Sequence, residues 1–490
     1  MAFFFRALRS LFSGKYYKRN VSKRTHHIRG TATAFAFSFV TVISVGALLL
    51  SLPVSRIDGT HNLVDAAFTS TSAVCITGLT VSDTGLTYTF WGQLIILLLV
   101  QIGALGYMTV AVVVALLMGK RLGIASAVHI MESNGETHLA GMHRLAKNTV
   151  IFTLCVEGAG AALYFFRFAA MPELGFSCRS VWYALFHSVM SFCNAGIDLM
   201  GPIYGKGTGF THFCGDIYFC SVLSLLVFLG SLGYAVFADL AVPLKAGNIH
   251  LSQLFRNVFS LENRRKRSTH TVIALNTTLI LIVLGAVILF CSEYSSGFAG
   301  LPLWKKLVMS VSESVTCRTA GFTTLNTASL PVWCLLLLGP LMLIGGCPVS
   351  TAGGIKTTTV AVLYGALRSA LTGRQDVEIC SRRVSQICLN RAIAVTTIAI
   401  AFVIIIQMLL CFTEGPNVSS DLSKLQFESV SALGTVGLST GVTGALSPLG
   451  KLIFIVSMYI GRIGSIFFNM VVFSDKKLMR RLPEDDIIIG

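Results

Sequence analysis

Four short stretches of the sequence end alike: Ser72-Ala-Val-Cys-Ile-Thr-Gly78, Met190-Ser-Phe-Cys-Asn-Ala-Gly196, Val315-Thr-Cys-Arg-Thr-Ala-Gly321 and Ser431-Ala-Leu-Gly-Thr-Val-Gly437. Their glycines stand 118, 125 and 116 residues apart. Each stretch closes a moderately apolar run, at 63–76, 180–194, 303–319 and 423–435, too short to cross a hydrocarbon core as a helix. A half-helix stopping there aims its C-terminal end, with its partial negative charge, at the membrane centre. The loops hold almost no carboxylates, so the ligands on offer are backbone carbonyls. Such dipoles can replace the hydration water of a cation. Weak neutral ligands suit a large, easily dehydrated monovalent ion, whereas divalent cations call for several carboxylates. Glycine supplies a positive φ and room beside the ion. One glycine after an apolar run is an ordinary turn. Four in equivalent places form an internal repeat.

Composition says what surrounds these loops. Of 490 residues, 54% are hydrophobic and 12% charged, the latter about half the roughly 25% of soluble domains. Mean hydropathy is +0.74. Too few charges remain for a wetted shell, which excludes a soluble enzyme, a disordered chain and a coiled coil and leaves a polytopic membrane protein. Apolar spans fall at 32–54, 91–118, 148–170, 217–243, 271–292, 331–345 with 355–369, 392–413 and 449–473. The order span, half-helix, span therefore occurs four times. The fold expected is all-α, with eight transmembrane helices and four pore half-helices around a pseudo-fourfold central pore. Residues 1–31 form a basic segment, 32–118 the first repeat, 119–243 a linker and the second, 244–369 a linker and the third, 370–473 a linker and the fourth, and 474–490 a tail.

The net charge of +16 reads as membrane topology rather than nucleic-acid binding. With two crossings per repeat, the termini and inter-repeat linkers share one side, and they carry 27 of the 38 Lys and Arg residues. That excess puts both termini in the cytoplasm and brings the half-helices in from outside. The first 31 residues are no signal peptide, because the apolar segment after them has spanning length. Thirteen cysteines include no C-x-x-C pair and no Cys/His cluster, and several lie in apolar spans where Cys acts as a small hydrophobe. No Gly-rich nucleotide loop follows a strand pattern.

The sixth span is broken by Gly345-Gly-Cys-Pro-Val-Ser-Thr-Ala-Gly-Gly354. Two glycine pairs and a proline do not continue a helix comfortably. Irregular backbone at membrane depth is tolerated where it is buried or lines a water-filled cavity, so Gly345, Gly346, Cys347, Pro348, Ser350, Thr351, Gly353 and Gly354 read as a gate or as a simple kink. Lys356 and Arg462 are costly if they face lipid. Arg462, between small residues, is expected to point into the pore and bond loop carbonyls; an acidic partner is the alternative. Arg318 is expected to prop the third loop against Glu313 or Glu428, since a cation lining the pore would repel its cargo. Glu157, Glu293, Glu313, Glu414 and Glu428 are scattered and share no motif. His187 reads as structural.

Thr71-Ser-Ala-Val-Cys-Ile-Thr-Gly-Leu-Thr-Val-Ser-Asp-Thr84, with Phe90-Trp-Gly-Gln and Gln101-Ile-Gly-Ala-Leu-Gly106, resembles the first repeat of the Trk/Ktr/HKT potassium transporters. Phe192-Cys-Asn-Ala-Gly-Ile-Asp198, Arg318-Thr-Ala-Gly-Phe322 and Gly434-Thr-Val-Gly-Leu-Ser-Thr440 resemble the other three, and the broken span resembles the family's intramembrane loop. The resemblance covers about residues 30–490 and is nearer the Ktr type than the longer Trk type. It implies K+ uptake across the inner membrane through a single-glycine selectivity filter, with K+ ligands from the carbonyls of Ile76, Thr77, Asn194, Ala195, Thr319, Ala320, Thr435 and Val436 and from Gly78, Gly196, Gly321 and Gly437. It also implies gating by the 345–354 loop, a homodimer in membrane lipid, a cytoplasmic ring of nucleotide-binding, RCK-type regulatory subunits, and Na+ as a coupling or activating ion. Cys75, Cys193 and Ala104 depart from the commonest pattern. A Na+ or mixed Na+/K+ transporter of the same architecture stays open, as does, remotely, a membrane enzyme. No cofactor in the chain and no nucleic-acid partner are expected.

Overall fold

The structure, a computed structural model, describes residues 23–59, 61–106, 142–245, 269–348, 350–374, 376–380, 382–414 and 421–471. Most of the 1–31 segment, the second half of the 91–118 span, most of the 119–147 and 244–270 linkers and the 474–490 tail lie outside these residues.

Among the described residues, thirteen helices of twelve or more residues carry the architecture: α1 (Lys23–Leu50), α2 (Leu63–Cys75), α3 (Phe90–Leu105), α4 (Met142–Ala169), α5 (Cys178–Cys193), α6 (Ile217–Lys245), α7 (Thr269–Glu293), α8 (Leu303–Thr319), α9 (Val332–Leu343), α10 (Thr357–Leu371), α11 (Gln386–Thr413), α12 (Leu422–Gly434) and α13 (Pro448–Val471). A two-residue hairpin, β1 (Glu378–Ile379) with β2 (Arg382–Arg383), sits between α10 and α11. Among the described residues, four segments are long and apolar enough to cross a membrane: Lys147–Ala169, Ile217–Tyr234, Thr269–Glu293 and Gln386–Thr413. Ala36–Leu50, Phe90–Leu105 and Val332–Leu343 are shorter apolar helices.

The short helices α2, α5, α8 and α12 start and stop for local reasons. Asn62 caps α2 by accepting from Asp65 N, and Ser177 caps α5 by accepting from Ser180 N. Asp421 caps α12 by accepting from Lys424 N; the Ser423 hydroxyl bond first, and then the bonds from Lys424, hold its carboxyl below the usual range. Three of the helices end where one residue turns left-handed: Ile76 (φ 57°), Asn194 (φ 60°) and Thr435 (φ 51°). A β-branched side chain costs about 1–3 kcal/mol in that region and persists only where surroundings impose it. In each case the next amide reaches back five residues: Thr77 N to Ser72 O, Ala195 N to Met190 O and Val436 N to Ser431 O, at 2.8–2.9 Å. The third helix differs. It runs through Thr319, Ala320 stays right-handed, and Gly321 N reaches Thr316 O.

Each of these four helices is buried between the two helices that flank it in sequence. Each also packs against a helix of the preceding unit: α5 against α3, α8 against α6, α12 against α9, and α2 against α13. These contacts run in chain order and return to their start. The core is continuous through this ring, with Phe68, Phe186, Met309 and Phe427 fully or almost fully buried.

Candidate functional site

The four glycines meet. All have positive φ: 86° at Gly78, 65° at Gly196, 71° at Gly321 and 96° at Gly437. A Cβ placed on Gly78 would lie 2.5 Å from Ala195 O; on Gly196, 2.7 Å from Ala320 O; on Gly321, 2.4 Å from Val436 O; and on Gly437, 2.2 Å from Thr77 O. Each glycine thus abuts the carbonyl just before the next glycine, and the sequence of contacts closes. Glycine is required here twice over, by backbone conformation and by space.

Ile76, Thr77, Asn194, Ala195, Thr319, Ala320, Thr435 and Val436 are all buried in or beside this ring. In the first and fourth units a serine six residues back fixes the glycine: Gly78 N donates to Ser72 Oγ at 3.0 Å and Gly437 N to Ser431 Oγ at 3.1 Å. The hydroxyls of Thr77, Thr319 and Thr435 are buried without a hydrogen-bond partner from the protein. Leaving such groups unpaired is unfavourable unless something else occupies them.

One set of residues was not legible as a site. Eight or nine residues before each glycine, one polar side chain ties the half-helix to the chain leaving the ring. Tyr88 OH donates to Thr69 Oγ1 at 3.1 Å, and Leu199 N donates to His187 Nε2 at 3.2 Å. Thr324 donates to Glu313 through both N and Oγ1 at 2.6 Å. Glu428 accepts from Ser439 Oγ, Thr440 N and Thr443 Oγ1 at 2.6–2.9 Å. The expectation that the glutamates share no pattern is therefore corrected: Glu313 and Glu428 do equivalent work, alongside His187. The signal was their distance from the glycines, masked by the change of residue type and a one-residue shift in the third unit.

The 345–354 segment forms a loop closed at its base. Gly345 N donates to Ile355 O at 2.7 Å and Ile355 N to Leu343 O at 2.9 Å. A Cβ on Gly345 would lie 1.8 Å from Gly353 O, so only glycine permits this closure. The loop reaches the glycine ring. Thr351 Oγ1 donates to Phe192 O at 3.3 Å and meets the Asn194 side-chain amide at 3.2 Å. A Cβ on Gly353 would lie 1.9 Å from Thr435 Oγ1. Pro348 sits at the turn and Ser350 Oγ donates to Cys347 O at 2.6 Å.

Three cations hold this loop through carbonyls. Arg462 donates to Thr351 O at 2.6 Å and to Gly103 O at 2.8 Å, bridging the loop to α3. Lys356 donates to Ala352 O at 2.9 Å. Arg318 donates to Gly345 O at 2.8 Å. The expected Arg318 pairing with Glu313 or Glu428 is thus wrong, because both carboxylates are taken by their own outgoing chain. The five buried glutamates do not gather. Glu157 accepts from Gln101 at 2.6 Å, Glu293 from Ser296 and Gly297 N, and Glu414 from Ser447. Among the described residues no group of three His, Cys, Asp or Glu side chains could hold a metal ion.

The family described as "TrkH: Cation transport protein" matches residues 4–478. The chain belongs to that family. It is a membrane transport protein rather than an enzyme. The chain is 31% identical to the potassium/sodium uptake protein NtpJ of Enterococcus hirae, across 96% of this chain and 99% of that protein. It is 32% identical to the Ktr system potassium uptake protein B of Vibrio alginolyticus, covering 96% and 97% of the two chains, and 32% identical to that of Bacillus subtilis, covering 93% and 96%. Its fold matches the crystal structure of the potassium transporter TrkH from Vibrio parahaemolyticus with a TM-score of 0.67 over 98% of this chain and 91% of the other, at 17% identity. In this TrkH-family chain the glycine ring, its buried hydroxyls and the cation-held loop lie next to one another.

Proposed function

We propose that this protein is the translocating subunit of a potassium uptake system of the cytoplasmic membrane. The four glycine loops form its selectivity filter, related by pseudo-fourfold symmetry within an eight-span subunit whose termini face the cytoplasm. K+ is the cargo, held by the carbonyls of residues 76–78, 194–196, 319–321 and 435–437. The observation that carries this reading is the closed succession of glycines, each against the carbonyl before the next. Four converging carbonyls form an electronegative ring, and the unpartnered Thr77, Thr319 and Thr435 hydroxyls add neutral oxygens near it. Carbonyl and hydroxyl oxygens without carboxylates favour a weakly hydrated monovalent cation.

The 345–354 loop acts as the gate. It sits against the Asn194 and Thr435 ends of the ring and is pinned by Arg462, Lys356 and Arg318. Charge held there raises the barrier to a cation until the loop moves. The subunit works as a homodimer with cytoplasmic, nucleotide-binding regulatory subunits; the relatives named as Ktr system potassium uptake proteins support the part of this reading that makes it one component of a system. A mixed Na+/K+ cargo is the second reading, favoured by the 31% identity to a potassium/sodium uptake protein. Competition uptake with K+, Rb+ and Na+ in cells lacking other K+ uptake separates the two. Preference for K+ and Rb+ supports the first reading; equal competition by Na+ supports the second.

A further inference from the structure

The helix α6 leaves helical geometry at Gly233, with φ 75° and ψ 158°. Each helical amide bonds the carbonyl four residues earlier, so a break there frees carbonyls on the preceding turn. The loop takes two of them. Cys347 N donates to Ser231 O at 3.0 Å, and Thr351 N donates to Gly230 O at 3.4 Å. In an unbroken helix the same two carbonyls would accept from residues 235 and 234. The loop amides and the helix amides therefore compete for one pair of acceptors.

The seat is shaped for the loop. A Cβ on Gly346 would lie 2.7 Å from Ser231 O. A Cβ on Gly230 would lie 1.9 Å from Phe192 O and 3.1 Å from Thr351 Oγ1. The Cys347 side chain is buried in a small apolar cluster with Leu232 and Val236, one on each side of the break, and with Ala274 and Leu275 of α7. Nothing at the break itself compels it: the nearest proline in α6 is Pro243, a decade further on. The bent helix and the seated loop hold each other in place.

We propose that the Gly233 break is the receptor for the gate: the loop seats only while α6 is bent, and straightening α6 withdraws both carbonyls and releases it. This rests on the reading of residues 345–354 as the gate. The device is a two-state element whose states are set by which amides Gly230 O and Ser231 O accept.

The test uses the full chain in proteoliposomes. Gly233→Ala disfavours the left-handed break and favours a continuous helix. Rb+ flux should rise about tenfold, from the roughly 1–2 kcal/mol that separates Ala from Gly at such a φ. Cys347, now buried, should become reactive to a soluble maleimide, read by mass spectrometry of its peptide. Gly346→Ala pushes the loop off Ser231 O while leaving every residue of α6 unchanged, and should give the same two results, so it decides the matter if Gly233→Ala does not fold. Unchanged flux with Cys347 protected in the folded variants overturns the inference. So does raised flux with Cys347 still protected. Deleting 347–353 tests the gate reading separately. If the deletion raises flux and the two glycine variants do not, the receptor idea alone fails; if the deletion does not raise flux, the gate reading fails with it.

Discussion

Gly437→Ser tests the ring most sharply. The new Cβ would stand 2.2 Å from Thr77 O and 3.1 Å from Gly78 Cα. Restoring ordinary van der Waals separation moves that carbonyl by roughly 1 Å. The backbone adds its own penalty, since φ is 96° and a non-glycine residue there costs about 1–2 kcal/mol. A ligand carbonyl displaced that far should forfeit about 2 kcal/mol of the difference between K+ and Na+, or close to thirtyfold in preference. Gly441 supplies the control. Its φ is 94°, yet a Cβ there meets nothing within 4 Å. Gly441→Ser therefore carries the same backbone strain without touching the ring. The assay is competitive uptake of 86Rb+ and 22Na+, normalised to protein in the membrane. Gly437→Ser should lower the Rb+ to Na+ ratio and Gly441→Ser should leave it unchanged. An unaltered ratio in folded Gly437→Ser, or an equal fall in both variants, refutes the reasoning.

Other outcomes follow from the same geometry. Arg462→Ala removes the bonds to Thr351 O and Gly103 O and should raise Rb+ flux in proteoliposomes, as should deletion of 347–353; lower flux in folded protein would reject the gate. Glu428→Ala strips Ser439, Thr440 and Thr443 of their shared acceptor and should destabilise by about 3 kcal/mol, seen as a lower melting temperature in detergent. Asp65→Asn removes the negative charge that Lys451 of α13 meets at 2.7 Å, in a pair whose side chains are each 15% exposed, and is read by melting temperature in detergent. Loss of this tie between α2 and α13 should lower stability by about 2 kcal/mol, less than for a fully buried pair because solvent still reaches it.

The four helices before the glycines were legible because their signal is repeated. The runs at 63–76, 180–194, 303–319 and 423–435 are within two residues of α2, α5, α8 and α12. Length, caps and a terminal glycine act locally, so sequence carries them. The bond from Arg462 to the loop carbonyl lay along the direction that small neighbours and a polar loop suggest. The partner of Arg318 was not legible, because sequence offered two carboxylates, Glu313 and Glu428, and only tertiary packing brings Gly345 O within reach. The strut formed by Thr69, His187, Glu313 and Glu428 was hidden by chemistry: a hydroxyl, an imidazole and two carboxylates do one job. The Gly233 break left no local trace either, since a lone glycine in an apolar helix reads as ordinary. The loop bonded to the carbonyls beside it is more than a hundred residues away.

On the proposed function, the four glycine loops converge on a dehydrated potassium ion. Anomalous diffraction from crystals grown in Rb+ or Tl+ measures this directly. Scattering peaks on the axis shared by Gly78, Gly196, Gly321 and Gly437, exchangeable with K+ and lost on replacement by Na+, are the predicted result. Well-ordered crystals with bound cations only elsewhere, and none between those glycines, would contradict it.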